Sequence, residues 1–276
     1  MRLLQWNLQW CRGIDGVVDP ARIARVAKDL CDPDICCFQE IAVNFPALAG
    51  SRGEDQAMLL ALEFPGYSAH FVSGVDVPDD AGRRRYFGNL ILSRLPVRQV
   101  LRHSLPWPPD DDQPSMPRVA VEAAIEAPWG PVRVTTTHLE YYSAAQRAAQ
   151  VARLRELNAE AIAHARAQAS KRHDSGPFQP FPRPASAILT GDFNMRPDDP
   201  LVATLSQDYR DAWSIAHPQE PHPPTFCVHG KEHGAAPYCC DFVFVSPDLA
   251  QRIASVHVDL GCQASDHQPV FVEFQK

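Results

Sequence analysis

No run of about 18 consecutive apolar residues occurs in this 276-residue chain, so no segment reads as a membrane-spanning helix. Met1-Arg2-Leu3-Leu4 passes directly into an apolar strand pattern and leaves no room for an export signal, which makes the cytoplasm the expected location. No CxxC pair exists among the eight cysteines, and without an export signal these are expected to be reduced and partly buried. Positive charge is scarce as well. Lys and Arg number 26 against 33 Asp and Glu, for a net charge of −7, whereas a nucleic-acid binder is expected to carry a basic face. Arg83-Arg84-Arg85 is the only basic run, and such runs most often mark a solvated loop. No internal repeat is visible. What remains is the profile of a soluble globular protein, 45% hydrophobic and 21% charged, with a chain long enough for one large α/β domain over residues 1–276.

Against that background, polar residues recur at the ends of apolar strands, where packing alone would not ask for them. Leu189-Thr190-Gly191-Asp192-Phe193-Asn194 delivers a carboxylate and an amide at alternate positions after the strand Ala187-Ile188-Leu189. On an extended chain that spacing points both side chains the same way, and Gly191 lets the backbone leave the strand sharply, at the edge where open α/β layers keep their sites. Asp, Asn and Gly also build ordinary turns, so recurrence decides the reading. Ser265-Asp266-His267-Gln268-Pro269 precedes the alternating strand of Val270, Val272 and Phe274. Asp34 to Phe38 runs into Gln39-Glu40, the opening strand Leu3 to Leu8 carries Trp6-Asn7, and Val132 to Thr136 runs into Thr137-His138-Leu139. Convergence of these termini on one polar site is the economical interpretation.

Between them, Asp19-Pro20 starts a helix with Asp as N-cap and Pro in the first turn, burying Ile23, Val26, Ala27 and Leu30. A second helix is expected over Glu54 to Leu62 and a strand over Tyr67 to Val72. Val119 to Ile125 and Val132 to Thr137 form a hairpin through Ala127-Pro128-Trp129-Gly130-Pro131. The longest helix runs from Ser143 to about Ala169, with the stripe Val151, Leu154, Asn158, Ile162 and Ala165 interrupted by one polar residue. Val75 to Tyr86, Pro106 to Pro117, Lys171 to Pro184 and His217 to Pro237 read as long loops. In the last of these, Cys227, His229, His233, Cys239 and Cys240 lie close together, with His217 and His222 upstream, but their spacings fit no standard zinc motif. A substrate-facing loop is the preferred reading there.

Gln5-Trp6-Asn7, Phe38-Gln39-Glu40, Phe87-Gly88-Asn89-Leu90-Ile91-Leu92-Ser93, Thr137-His138-Leu139, Gly191-Asp192-Phe193-Asn194, Asp241-Phe242-Val243-Phe244 and Ser265-Asp266-His267 stand in this order along nearly the whole chain. The ordered set resembles the endonuclease/exonuclease/phosphatase superfamily of metal-dependent phosphoesterases. The resemblance implies a four-layer α/β/β/α sandwich of two packed mixed β-sheets flanked by helices, with pseudo-twofold symmetry. It also implies hydrolysis of a phosphodiester, of nucleic acid or a smaller molecule, by water attack assisted by metal and a His/Asp pair. Such chemistry needs a hard cation with oxygen ligands, Mg²⁺ or Mn²⁺ in its place. Glu40 is the best candidate ligand, with Asn7 beside it and Asp266 as a further one. Asp192 would orient the water or bind a second ion, and Asn194 would donate to the phosphate. His267 would contact phosphate or nucleophile, paired by the resemblance with Asp241. His138 would be a second imidazole, and Asn89 and Arg118 would reach the substrate.

Departures narrow the branch. Apurinic endonucleases carry an aspartate where this chain has Gln9 and a tyrosine near the position of His138. The late aspartate follows Cys239-Cys240 where nucleases often have a basic residue, and Glu140-Tyr141-Tyr142 matches no branch. The alternatives are a phosphomonoesterase acting on a sugar or inositol phosphate, and a binding protein that keeps the fold without turnover.

Overall fold

Apolar strands with two buried faces need cover on both sides, and the computed structural model supplies it. It describes residues 1–167, 176–230 and 236–275. The chain lays down β1 (Arg2–Asn7), β2 (Ile35–Val43), β3 (Ser68–Pro78) and β4 (Arg84–Ser93) in one sheet. It then builds a second from β5 (Val97–Ser104), β6 (Val119–Ala127), β7 (Gly130–His138), β8 (Ala187–Asp192), β9 (Arg210–Asp211) and β10 (Asp241–Val245). The last strands, β11 (Ile253–Val258) and β12 (Val270–Phe274), return to the first sheet.

The two sheets repeat one plan, with strand orders β11-β12-β1-β2-β4-β3 and β5-β6-β7-β8-β10-β9. Each is antiparallel except for a single parallel pair, β1 with β2 and β7 with β8. This is the expected pseudo-twofold, realised in topology. Parallel neighbours require a crossover, and helices α1 (Pro20–Cys31) and α3 (Ala144–Arg166) make the two crossovers. α2 (Gln56–Glu63), α4 (Pro200–Leu205) and α5 (Ala212–Ala216) complete the helices, none of which is long and apolar enough to cross a membrane.

Three apolar layers follow from the alternation of side chains along each strand. Leu3, Ile35, Cys37 and Ile91 of the first sheet meet Val121, Val134, Ile188 and Val243 of the second between the sheets. On the outer face of the first sheet, Leu4, Trp6, Cys36 and Phe38 pack against Ile23 and Ala27 of α1 and Leu60 of α2. On the outer face of the second, Ala120, Leu189, Phe242 and Phe244 pack against Val151 and Leu154 of α3. All eight cysteines are free and buried within these layers and the loops beside them.

Asp19 caps α1 as expected, accepting from Arg22 N–H at 3.0 Å. The second helix begins at Gln56, later than Glu54, because Asp55 is the cap. Residues 75–86 are not a loop. β3 runs on to Pro78 and pairs with β4 around a tight turn, with Asp79 N–H donating to Arg83 O at 2.8 Å and Gly82 at φ +80°. β3 is an edge strand whose ends are exposed, so its sequence lacks the apolar pattern of a covered strand. Arg83 and Arg84 spend their charge on Asp79 and Asp76 at this turn.

In α3 the buried face carries Gln146, Gln150, Val151, Leu154, Leu157, Asn158 and Ala161, while Ile162 is only half-buried and Ala165 exposed. The expected stripe therefore fails over its last turn, and the expected end at Ala169 lies outside the described residues. Asn158, its polar break, accepts from Arg133 Nη2 at 2.5 Å. Arg133 belongs to a buried ionic cluster in which Glu122 takes Arg183 Nε at 2.8 Å and His103 Nε2 at 3.2 Å. Burial alone would raise the Glu122 carboxyl, but His103, Arg183 and Arg133 pull it down to about 2. A carboxylate depressed below its ordinary 4.5 contributes stability that is present above that value and lost as pH falls through about 2. Glu122→Gln should therefore lower stability at pH 7 by about 3–5 kcal/mol, since Arg133 loses a partner in the interior. In urea titrations the gap to the parent should close between pH 4.5 and 2.

Candidate active site

The C-terminal ends of the two parallel pairs face one another at one edge of the sandwich, which brings Asn7 of β1, Glu40 of β2, His138 of β7 and Asp192 of β8 together. Such ends are where parallel strands leave room for ligands. Two backbone devices aim the side chains. β2 does not end at Glu40. It continues to Val43, and Glu40 sits in a bulge where the pairing with β4 slips between Phe38 and Ile41, at φ +59°. A bulge turns one side chain out of register, here out of the sheet and into the cleft. On β8, Gly191 approaches β7 so closely that a Cβ would lie 2.0 Å from the Thr137 carbonyl oxygen, so only glycine lets Asp192 stand beside His138. Asn194 lies past the strand at φ +51°, so its direction is set by this turn and not by strand alternation.

Asn7 Nδ2 donates to Glu40 Oε1 at 3.1 Å and to Asp192 Oδ2 at 2.9 Å, while its oxygen accepts from Gln9 N–H at 3.1 Å. The amide thus holds two carboxylates in place, with its own oxygen engaged by the backbone. Asp192 Oδ2 also lies 3.4 Å from His138 Nε2 and 3.6 Å from His267 Nε2. Behind His267, Nδ1 meets Asp241 Oδ2 at 2.8 Å. Asp241 is itself fixed by Thr225 Oγ1 donating at 2.6 Å and Gln5 Nε2 at 3.3 Å. Gln5 joins Gln39, Thr136 and Thr190 in a buried network that crosses the sandwich beneath the site.

The two imidazoles are driven apart. Burial depresses His138 to about 3, with the Arg118 guanidinium adding to the effect. His138 is therefore neutral, and since Asn194 Nδ2 donates to its Nε2 at 3.1 Å, the ring proton resides on Nδ1. Burial would also depress His267, but Asp241 and Asp192 outweigh it and raise the ring to about 10, so His267 is a cation at neutral pH. Glu40 is pushed up to about 7, first by burial and then by Asp266. Glu40 thus stands among the carboxylates of Asp266 and Asp192, a crowding that a cation would relieve, while the side chains whose possible ligand atoms lie within 4.8 Å of one another, among the described residues, are Asp192, Cys240 and His267.

These residues open on a cleft of about 470 Å³ that Glu40, Arg118, His138, Asp192, Asn194, Asp266 and His267 share with an apolar wall. Asn89 does not join them. It is buried with its amide donating to the Val119 carbonyl at 3.0 Å. Arg118 Nε binds Glu140 Oε2 at 3.2 Å, and Glu140 together with Thr225 escaped sequence reasoning, because a charge or hydroxyl in a loop carries no periodic signal. The Cys and His residues of the late loop do not form one centre among the described residues. His229 Nε2 meets the Leu260 carbonyl at 2.6 Å and Cys239 Sγ the Asp241 carbonyl at 3.5 Å, and His233 lies outside the described residues. Cys240 instead stands with Asp192 and His267.

The sequence matches the profile of the Endonuclease/Exonuclease/phosphatase family over residues 4–267. No curated protein matches it. Among solved structures, the fold is shared with an endonuclease/exonuclease/phosphatase from Beutenbergia cavernae at 24% identity and a TM-score of 0.66, over 100% of this chain and 72% of that one. It is also shared with a truncated TDP2 from Caenorhabditis elegans at 19% identity and TM-score 0.67, over 100% and 97%. A 3′-5′ exonuclease from Neisseria meningitidis is similar at 21% identity and TM-score 0.64, over 100% of both chains.

Proposed function

Because the chain belongs to the endonuclease/exonuclease/phosphatase family, whose members are phosphoester hydrolases, we propose that it is a divalent-cation-dependent phosphodiesterase acting on small or single-stranded substrates. The observation that carries this reading is the meeting, in one cleft, of three carboxylates with a cationic imidazole held by Asp241. Glu40 and Asp266 would hold Mg²⁺, or Mn²⁺ in its place, and the ion would supply Lewis-acid charge stabilisation at the phosphate.

The chain's own groups divide the remaining work. Arg118 and the charged His267 face the phosphoryl oxygens and offset their charge, the more effectively because the site is largely buried. Asp192, oriented by Asn7, accepts a hydrogen bond from the attacking water and aims it. Neutral His138, locked by Asn194, presents Nδ1–H as a donor without adding charge.

Neither alternative fits as well. Among the described residues lining the cleft, Arg118 is the only Lys or Arg, which is little provision for the doubly charged monoester of a sugar or inositol phosphate. A scaffold without turnover would have no use for an intact set of opposed, polarised imidazoles.

The test is a hydrolysis screen with Mg²⁺ and Mn²⁺ over bis-p-nitrophenyl phosphate, p-nitrophenyl phosphate, and single- and double-stranded DNA. Diester turnover should exceed monoester turnover and vanish with chelator; a faster monoester, or activity indifferent to chelation, would overturn the reading. With net charge −7, binding to duplex DNA should be weak and lost at modest salt, and nanomolar duplex binding at physiological ionic strength would remove the preference for small substrates.

A further inference from the structure

Just past the end of β1 the backbone enters an uncommon conformation. Gln9, Trp10 and Cys11 have φ of +45°, +45° and +61°, three successive left-handed residues with no glycine among them. Each is costly for an L-residue, and such strain persists where the surroundings over-determine it, commonly at ligand sites. The fixing bonds are present here. Leu8 N–H donates to the Gln39 carbonyl at 3.2 Å, Gln9 N–H to Asn7 Oδ1 at 3.1 Å and Arg12 N–H to the Gln9 carbonyl at 2.9 Å. The buried Gln56 amide donates to the Trp10 carbonyl at 2.8 Å, and Asp19 N–H to the Cys11 carbonyl at 2.9 Å.

The turn places the Gln9 side chain in the wall of the cleft. Gln9 is only 6% exposed, yet none of the described residues hydrogen-bonds its side-chain amide, and neither amide atom is sealed from solvent. Other buried glutamines are engaged, Gln5 with Gln39, Gln39 with Thr136 and Gln150 with the Pro106 carbonyl. A nine-tenths-buried amide without a partner calls for one from outside the chain. Neighbouring donors in the cleft are already committed. Trp10 Nε1 serves the Ala49 carbonyl at 2.9 Å, Asn194 Nδ2 serves His138 Nε2 at 3.1 Å and the Leu139 carbonyl at 2.9 Å, and Arg118 Nε serves Glu140 at 3.2 Å. Acceptors are plentiful by contrast, in the carboxylates of Glu40, Asp192 and Asp266.

We propose that Gln9 is a substrate-binding residue whose Nε2–H donates to a non-bridging oxygen of the phosphodiester. Those oxygens only accept, and an uncommitted N–H is what the cleft has least of. Mg²⁺ prefers carboxylates and water to an amide oxygen, so the cation is not the partner that Gln9 awaits. Neutrality matters as much as the donor, because a carboxylate of the same shape would join Glu40, Asp192 and Asp266 in repelling the phosphate. The inference rests on the phosphodiesterase reading and adds to it a residue that selects for the bound anion.

Gln9→Met keeps the length of the side chain and removes the donor. With bis-p-nitrophenyl phosphate and Mg²⁺, KM should rise about tenfold while kcat stays within about twofold, the signature of a contact made equally in ground and transition states. Diphenylphosphinate, a monoanion with two non-bridging oxygens and no ester bond to cleave, reads the same contact without turnover. Its affinity, measured by calorimetry in Mg²⁺, should fall by the same factor in Gln9→Met and further in Gln9→Glu, while Mg²⁺ affinity in Gln9→Met stays that of the parent. Unaltered KM and phosphinate affinity would overturn the proposal. So would a fall in Mg²⁺ affinity in Gln9→Met, which would make the amide a cation ligand. If Gln9→Met does not fold, Gln9→Glu decides alone, and phosphinate binding as tight as the parent's overturns the assignment. Should these arms fail while the diester is still hydrolysed with Mg²⁺, the phosphoesterase reading stands without Gln9; phosphinate binding that depends on Gln9 without any hydrolysis would sink that reading instead.

Discussion

Glu40→Gln should lower kcat for diester hydrolysis by about 10³-fold or more while leaving the fold intact, since the bound cation is worth several kcal/mol of transition-state charge stabilisation. The amide keeps the carboxylate's shape and can still meet Asn7, so the bulge in β2 has no reason to change. Melting should occur no lower than in the parent, because the substitution removes a buried charge that faces Asp266 and Asp192. Mg²⁺ affinity measured by titration calorimetry should fall together with activity. Unchanged affinity in this variant would strike Glu40 from the ligand set.

For the Asp241 and His267 pair the expectation is one of non-additivity. Either Asp241→Asn or His267→Ala should cost about 10²-fold or more in kcat, the usual worth of a positioned charge stabiliser. The double variant should be little worse than His267→Ala alone, because Asp241 acts only through the ring. Losses that multiply in kcat would show two independent roles. The pH profile separates orientation from charge. With its partner present the ring stays protonated up to about 10, so activity that needs the cation persists into the alkaline range. Asp241→Asn removes the first of the two carboxylates that raise it, and the alkaline limb should move down towards neutrality. Stability follows the same sign. A raised imidazole contributes fully below its ordinary 6.5, and that contribution is lost as pH rises through about 10.

Strands with two covered faces were legible in the sequence, because burial on both sides writes an unbroken apolar run, as in Ile35 to Phe38 or Ala187 to Leu189. Of the edge strand β3 only the first part, up to Val72, was legible, since the strand answers largely to solvent and its continuation to Pro78 reads as a loop. The same logic governs the site. Asn7, His138 and Asp192 stand at the ends of covered strands, where a polar residue contrasts with what precedes it, and the cleft gathers Glu40, Asp266 and His267 around them. Asn89 entered through the family resemblance alone, and its amide serves the Val119 carbonyl in the interior. Thr225 and Glu140 bear on the site from segments without periodicity, and only their hydrogen bonds reveal them.

The position of β1 between β2 and β12 has a consequence for timing. The Trp6 indole donates to the His267 carbonyl at 2.9 Å and Ser265 Oγ to the Asn7 carbonyl at 2.8 Å, across 261 and 258 residues of sequence. Contacts so distant in sequence form late, after the loop entropy of nearly the whole chain has been overcome. During translation the second sheet can assemble from contiguous strands, while the first waits with one flank of β1 unpaired. A growing polypeptide therefore holds Glu40, His138 and Asp192 without Asp266 and the cationic ring of His267. The cleft is complete only with the closing strand, so the folded chain and its ribosome-bound intermediate differ in chemistry as well as in shape.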